Sequence, residues 1–316
     1  YDDHMEIVGN VFVRSLSYLP RMFSSTAWAG SGMETYLYRP LPLATFALNY
    51  QVSALDPWSY HLVNVLLHTG VSLLVFRLGL LWGLPAAAAG MGGLLFAVHP
   101  AHVEVVAGVF GRKDLLAALF LLLMALGHRA ALDRGGWRMA LPALAYAAAL
   151  LSKEVGVAGI LLVAAQDLLL GRDRRRLLAG NRAPGLYIGY LAVLLVYVLV
   201  RNQVTGAGGV PETSFLDNPL VGAPFVTRLL TALVVVGKGV LLLAAPITLS
   251  PDYSFNAIPL VRSLLDARLL AFLGVAGMGC ALLVREGRKS MAREGGLGPA
   301  LALVLLGLAW YAFAIL

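Results

Sequence analysis

The chain has 316 residues, 59% of them hydrophobic and only 13% charged, with a mean hydropathy of +0.79. Soluble domains run at about 45–50% apolar and about 25% charged, so the composition excludes an ordinary soluble globule and defines a polytopic, all-α membrane protein. Cys280 is the single cysteine, which excludes a disulfide framework. The net charge of +7 follows from where the basic residues fall and gives no reason to expect nucleic acid.

The chain opens on Tyr1-Asp2-Asp3, with no initiator Met, and stops inside the apolar run Trp310 to Leu316. We read the first residues as the exit from a preceding helix and expect a fragment of a longer protein. Residues 1–58 hold no run of the roughly 20 apolar residues that a span needs. They predict an external loop with amphipathic helices lying in the interface. Residues 59–201 predict a transmembrane bundle with spans at 59–82, 84–98, 115–132, 138–152, 155–171 and 185–201, broken by an external motif loop at 99–114. Residues 202–266 read as an external or re-entrant segment. Residues 267–316 read as C-terminal transmembrane helices, at 267–284 and 297–316. The run 226–246 is apolar enough to cross, but Gly237-Lys238-Gly239 interrupts it, and we expect a re-entrant or interface-lying hairpin there.

Orientation follows from Arg and Lys in the connections. Arg77, then Arg129, Arg134 and Arg138, then Arg172 to Arg182, then Arg285 to Arg293 recur on one side, which reads as cytoplasmic. The opposite side receives 1–58, 99–114, Ser152-Lys153-Glu154 and 202–266, with most of the acids. The Ala/Gly/Leu/Arg-rich composition points to a bacterial inner membrane, with these segments facing the periplasm.

Charge beside a membrane core costs about 2.5–3.5 kcal/mol per ion on insertion scales, so a polar cluster there is a functional-site hypothesis by default. Within 99–114 stand His99, His102, Glu104, Arg112, Lys113 and Asp114. Pro100 suits a helix first turn with His99 near its cap, and His99 and His102 fall about one turn apart. Glu104 points elsewhere on an ideal helix. Two histidines and one divergent acid make a poor metal set, and histidines hydrogen-bonded in a cleft are the alternative. Arg112 and Lys113 stand at a helix start, where cations are disfavoured. They either hold an anion such as a lipid phosphate or belong to a plain charge cluster. Asp2 and Asp3 could serve as a general base on a hydroxyl or merely solvate a helix end. Lys153 snorkels or binds, Lys238 needs a partner within its apolar run, Asp252 lies in a turn-like Ser250-Pro251-Asp252-Tyr253, and Arg39 is an interface anchor or a ligand. His61, Asn64 and His68 form one polar stripe. No Gly-rich phosphate loop, nucleophile elbow or HExxH is present in the sequence.

In this order the pieces resemble a known family. Tyr1-Asp2-Asp3, Tyr38-Arg39-Pro40-Leu41, Leu48-Asn49-Tyr50, His61 with Asn64 to His68, His99-Pro100 with His102-Val103-Glu104, and Gly111-Arg112-Lys113-Asp114-Leu115-Leu116 carry the likeness. So do Leu151-Ser152-Lys153-Glu154 with Gly156, Asn218-Pro219, Leu249-Ser250-Pro251-Asp252-Tyr253-Ser254 and Ile258-Pro259. The chain resembles the membrane part of the transmembrane and tetratricopeptide-repeat O-mannosyltransferases, a branch of the GT-C glycosyltransferases, over most of residues 1–262. The resemblance implies transfer of a mannose-like sugar from a polyprenyl-phosphate carrier to a hydroxyl, of protein Ser or Thr or of a glycan, on the non-cytoplasmic side with inversion. It implies Asp3, with Asp2, as base. It places Arg39, His99, His102, Glu104, Arg112, Asp114, Lys153, Glu154, Lys238 and Asp252 about the substrates. It requires no cofactor beyond the lipid-linked sugar, and a divalent metal is the weaker expectation. Membrane lipids, the carrier and the acceptor are the expected partners. The departures are Lys113, where relatives often have Ala, the lack of visible repeats, and no helix before the Asp pair. A non-catalytic scaffold or complex subunit of the same fold, and a transporter, are the competing readings. The survival of the external acids and cations favours the enzyme.

Overall fold

The structure is a computed structural model that describes residues 3–33, 35–170, 182–206, 218–250, 253, 257–294 and 298–315. Among them all regular structure is helical, as the composition requires. The chain forms two compact units, one of Tyr1–Val210 with Leu306–Ala314, the other essentially Pro211–Leu305.

In the first unit, a series of short turns over 4–31 leads to α1 (Pro40–Ser53). The bundle follows: α2 (Trp58–Leu81), α3 (Ala86–Val98), α4 (Arg112–Arg134), α5 (Ala140–Ser152), α6 (Gly159–Leu170) and α7 (Arg182–Thr205). Helix α4 is the central element and packs against α2, α5, α6 and α7. Its Leu122, Met124 and Ala125 meet Val71 and Leu78 of α2, Tyr146 and Leu150 of α5, Val163 of α6, and Leu186 and Tyr190 of α7 in one core. A second core lies under the first segment, where Ile7, Val13 and Met22 pack on Leu43, Phe46 and Ala47 of α1 and on Tyr60 and Val109. Residues 4–58 are therefore anchored by their own buried apolar side chains. Asn10, fully buried, pins that segment by donating to the Ala27 carbonyl at 3.0 Å.

The second unit contains α8 (Phe225–Ala244) and α9 (Ala267–Glu294); α10 (Pro299–Ile315) begins in this unit and ends in the first. The expected hairpin at 226–246 is not formed: α8 is one continuous helix through Gly237-Lys238-Gly239. The glycines serve packing rather than chain reversal. A Cβ on Gly237 would stand 2.7 Å from the Phe272 ring of α9. Lys238 is accommodated by laying its ammonium over the Tyr253 ring, 4.1 Å from the centroid, a cation–π contact.

Among the described residues, five helices are long and apolar enough to cross a membrane: Trp58–Leu81, Val109–Arg134, Arg182–Thr205, Phe225–Ala244 and Ala267–Ala292. Ala86–Val98 with Pro100–Ala107 adds a sixth if that pair, bent by 47°, is one span. The bend is explained by sequence. Pro100 pushes His99 out of helical geometry, to φ −69° and ψ 124°. The expected spans at 138–152 and 155–171 are the shorter α5 and α6, separated by one extended residue, Lys153, and the turn Glu154–Ala158. Helix α9 runs ten residues past the expected end at 284, so Arg285, Arg288 and Lys289 lie on the helix rather than in a loop.

Candidate active site

Arg112-Lys113-Asp114 form the first turn of α4, not a loop. The chain reaches them through the turn Val109–Gly111, folded tightly back on the preceding helical turn. A Cβ on Gly111 would lie 2.2 Å from the Val105 carbonyl oxygen, so only glycine permits that approach. The expected base and this motif meet here. The Asp3 carboxylate Oδ1 accepts a hydrogen bond from the Phe110 backbone N–H at 2.8 Å, across 107 residues of sequence. Asp2 lies outside the described residues.

Arg112 is fully buried. Its Nε donates to Asn64 Oδ1 at 2.9 Å. Nη1 donates to Asn49 Oδ1 at 2.5 Å and Thr45 Oγ1 at 3.4 Å, and Nη2 to the Tyr60 carbonyl at 2.8 Å. The guanidinium also lies 4.6 Å from the Phe46 ring centroid. Asn64, whose Nδ2 donates to the Gly108 carbonyl at 3.0 Å, links this cluster to the motif turn. Arg112 thus ties α1, α2 and α4 together with most of its donors.

Lys113 is only 8% exposed and sits with its ammonium 3.8 Å from the Phe110 ring centroid. Among the described residues it makes no ion pair within 4 Å. The charges acting on it are Glu6, Arg39, Asp114 and Lys153. Glu6, 4% exposed, was not singled out by sequence; its signal is an acid inside the otherwise apolar Ile7-Val8 neighbourhood.

Arg39 and Glu154 are joined by three contacts, from Arg39 Nε to Oε1 at 3.2 Å and Oε2 at 3.1 Å, and from Nη2 to Oε2 at 2.8 Å. Pro40 at the start of α1 keeps Arg39 outside the helix, with φ −137° and ψ 65°. Lys153 is extended, so its side chain and that of Glu154 diverge. Lys153 pairs with Asp114 while Glu154 takes Arg39. Burial pushes the Glu154 carboxyl up, but the Arg39 hydrogen bonds and charge, helped by Arg201, hold it below its ordinary value. Burial raises the Tyr38 hydroxyl.

The histidines form a separate group. His68, His99 and Phe96 surround His102, with ring centroids 5.4, 5.8 and 4.2 Å from it. His102 Nδ1 lies 2.9 Å from the Phe96 carbonyl and His68 Nε2 lies 3.0 Å from that of Ala97. With protons assigned to those nitrogens, both imidazoles donate to carbonyls at the end of α3, the Phe96 carbonyl also accepting the His99 backbone N–H. Glu104 is exposed. Among the described residues no group of three or more His, Cys, Asp or Glu is placed to hold a metal ion. Lys238 belongs to the second unit, and Asp252 lies outside the described residues.

Sequence reasoning also passed over a polar seam farther along the bundle. His128, fully buried, has Nδ1 2.8 Å from Tyr190 Oη and Nε2 2.9 Å from Asp167 Oδ2, and Tyr187 Oη donates to the same carboxylate oxygen at 2.9 Å. The signal was a histidine and an acid within apolar helices.

The fold and apolar helices define a multi-pass membrane protein whose polar residues gather around the start of α4. Comparison with known proteins sharpens the class. A profile described as "Protein O-mannosyl-transferase TMTC, DUF1736" matches residues 207–280. Protein O-mannosyl-transferase Tmtc2 of Drosophila melanogaster is 36% identical over 291 residues, covering 84% of this chain and 29% of that protein. Human TMTC3 is 32% identical over 290 residues, covering 84% and 32%, and human TMTC4 is 31% identical over 314 residues, covering 84% and 42%. No solved structure matches the chain. The chain belongs to the TMTC O-mannosyl-transferase family, and it spans from under a third to about two fifths of the length of these relatives.

Proposed function

We propose that this chain is the catalytic membrane part of a GT-C glycosyltransferase that moves a mannose-like sugar from a polyprenyl phosphate to a hydroxyl, protein Ser or Thr foremost. The relatives' names support the sugar and the protein acceptor. The observation that carries the mechanism is the Asp3–Phe110 hydrogen bond. It fastens a carboxylate to the turn that leads into α4, whose second residue is the buried cation Lys113.

In this reading Asp3 accepts the proton of the acceptor hydroxyl as its oxygen attacks the sugar's anomeric carbon. The bond from that carbon to the phosphate oxygen breaks on the opposite face, its electron pair leaves with the phosphate, and configuration inverts. Cations already held in place stabilise the departing charge. Lys113 is the first of them, since Arg112 is engaged by Asn49, Asn64 and Tyr60 and is assigned here to positioning the α4 start. Lys153 and Arg39, each already paired with an acid, add to the local field. The outer-face assignment draws on Arg129, Arg134 and Arg138, which flank the far end of α4. The bacterial inner membrane draws on composition.

The test is transfer of mannose from undecaprenyl-phosphate mannose by purified full-length protein. Asp3→Asn abolishes transfer and retains the wild-type melting temperature. Wild-type turnover in that variant overturns the assignment of base. A wild-type protein that binds donor and acceptor without any transfer overturns the enzyme itself in favour of a scaffold.

A further inference from the structure

One buried acid takes no part in the transfer step described above. Glu6 stands in the helical turn His4–Val8 that follows Asp3, and it is 4% exposed. That turn is fastened to the start of α4 at two points. The Asp3 carboxylate accepts the Phe110 N–H at 2.8 Å, and Ile7, next to Glu6, shares a buried core with Val109. Glu6, between Asp3 and Ile7 in the chain, is therefore held beside the turn that leads into Arg112-Lys113-Asp114.

A buried ion is costly unless an opposite charge compensates it. Besides Glu6, the charges of Arg39, Asp114 and Lys153 act on Lys113. Two of these are cations, and each is in contact with an acid, Arg39 with Glu154 and Lys153 with Asp114. Asp114 is thus taken up by Lys153, and Glu6 is the acid that acts on Lys113 from outside either pair. Yet Lys113 makes no ion pair within 4 Å among the described residues, and its ammonium rests 3.8 Å from the Phe110 ring centroid. The Glu6 carboxylate compensates the ammonium through space and does not occupy its donors. Phe110 anchors both sides of the arrangement, Asp3 through its backbone and Lys113 through its ring.

We infer that Glu6 is a positioning residue of the transfer, whose buried carboxylate sustains the charge of Lys113 while leaving the ammonium open to the departing phosphate. The inference rests on the transferase reading and adds to it the group that keeps its first cation ready. Glu6 itself touches no substrate, and no bond of the reaction is made or broken at it. Direct contact would work against this role. An ammonium locked to a carboxylate, as Lys153 is to Asp114, must give up that contact to receive a phosphate, whereas a preorganised one has nothing to rearrange.

The experiment is a double-mutant cycle between Glu6→Gln and Lys113→Met in the purified full-length protein. It is read by steady-state transfer from undecaprenyl-phosphate mannose, by melting temperature, and by reductive methylation of Lys113 with formaldehyde and cyanoborohydride, followed by mass spectrometry. We expect Glu6→Gln to lower kcat about tenfold, part of the effect of losing the cation altogether, with donor KM and melting temperature unchanged. Methylation of Lys113 rises about tenfold, since only the neutral amine reacts and the carboxylate no longer favours the charged form. In the Lys113→Met background Glu6→Gln has no further effect on kcat. Glu6→Asp draws the charge back by one methylene and lowers kcat about threefold; it takes the place of Glu6→Gln in the cycle if the latter melts below wild type. Wild-type kcat and methylation in folded Glu6→Gln overturn the inference, as does an equal loss of kcat with and without Lys113 in either Glu6 variant. Methylation needs no turnover, so the two claims separate. If wild-type protein transfers no mannose, the transferase reading fails, and the link between Glu6 and Lys113 still stands or falls on methylation. If wild type transfers mannose and Glu6→Gln changes neither kcat nor methylation, the role of Glu6 alone fails.

Discussion

Replacing Arg112 with Lys tests whether this buried cation builds the site or contacts substrate. The charge is kept, but one ammonium cannot reproduce a planar fork. Arg112 reaches Asn64, Asn49, Thr45 and the Tyr60 carbonyl in different directions, and a lysine reaches one or two of them. At least two charge-assisted hydrogen bonds are lost, at about 1.5–3 kcal/mol each. The expected destabilisation is therefore about 3–6 kcal/mol, against a total of about 5–15 kcal/mol for a typical fold. For a unit of this size each kcal/mol shifts the midpoint by about 2–4 °C, so the melting temperature falls by on the order of 10 °C. Scanning fluorimetry of the detergent-purified protein measures this. Donor affinity, measured well below the lowered midpoint, stays within a few fold of wild type, because no donor group touches Arg112 in this account. A lysine variant that melts as wild type and binds donor an order of magnitude more weakly refutes the positioning role and makes Arg112 a phosphate ligand.

The other predictions concern the surrounding charges and turns. Lys113→Met lowers kcat for transfer by about a hundredfold, the scale of losing one preorganised electrostatic group, with little change in melting temperature; steady-state kinetics check it. Gly111→Ala forces a Cβ against the Val105 backbone, so the motif turn shifts, and both folded yield and activity fall together on purification. The Arg39–Glu154 pair gives a pH dependence of defined sign. Glu154 is held below its ordinary carboxyl value near 4.5, so its stabilisation is complete above that pH and is lost as pH falls through the lowered value. Melting scans show wild type losing stability on acidification in that window, and Glu154→Gln, less stable at neutral pH, losing less.

The helical membrane class was legible because hydropathy states it directly, whereas the eight expected spans become five helices, or six with the bent pair, long enough to cross among the described residues. Trp58–Leu81 and Arg182–Thr205 lie within a few residues of the expected 59–82 and 185–201. The continuous helix at Phe225–Ala244 was not legible, since Gly237 and Lys238 have the same local signature whether they break a helix or pack one. The deciding partners, Phe272 and Tyr253, lie 35 and 15 residues away, counting from Gly237 to Phe272 and from Lys238 to Tyr253. Helix α5 and the turn after it were legible in outline, but the single extended residue Lys153 between them depends on tertiary contact.

The site was legible as a set of residue types and not as an arrangement of partners. Sequence could place Arg112, Lys113 and Asp114 on one turn, but consecutive residues on a helix face different ways, and direction decides role. Arg112 turns into the protein and meets two asparagines; Asp114 turns to Lys153; Lys113 remains close to Phe110, whose N–H holds Asp3. The same logic separates Arg39 from Arg201. Pro40 keeps the first outside its helix, where it meets a carboxylate, while the second follows a long apolar run on α7 and has a buried Nε without a hydrogen-bond partner among the described residues. A motif rich in cations thus resolves into cations that brace the fold, cations neutralised by acids, and Lys113, for which an incoming phosphate is the natural partner. Removing Lys113 should reach the substrate without loosening the bundle, and removing Arg112 should do the reverse.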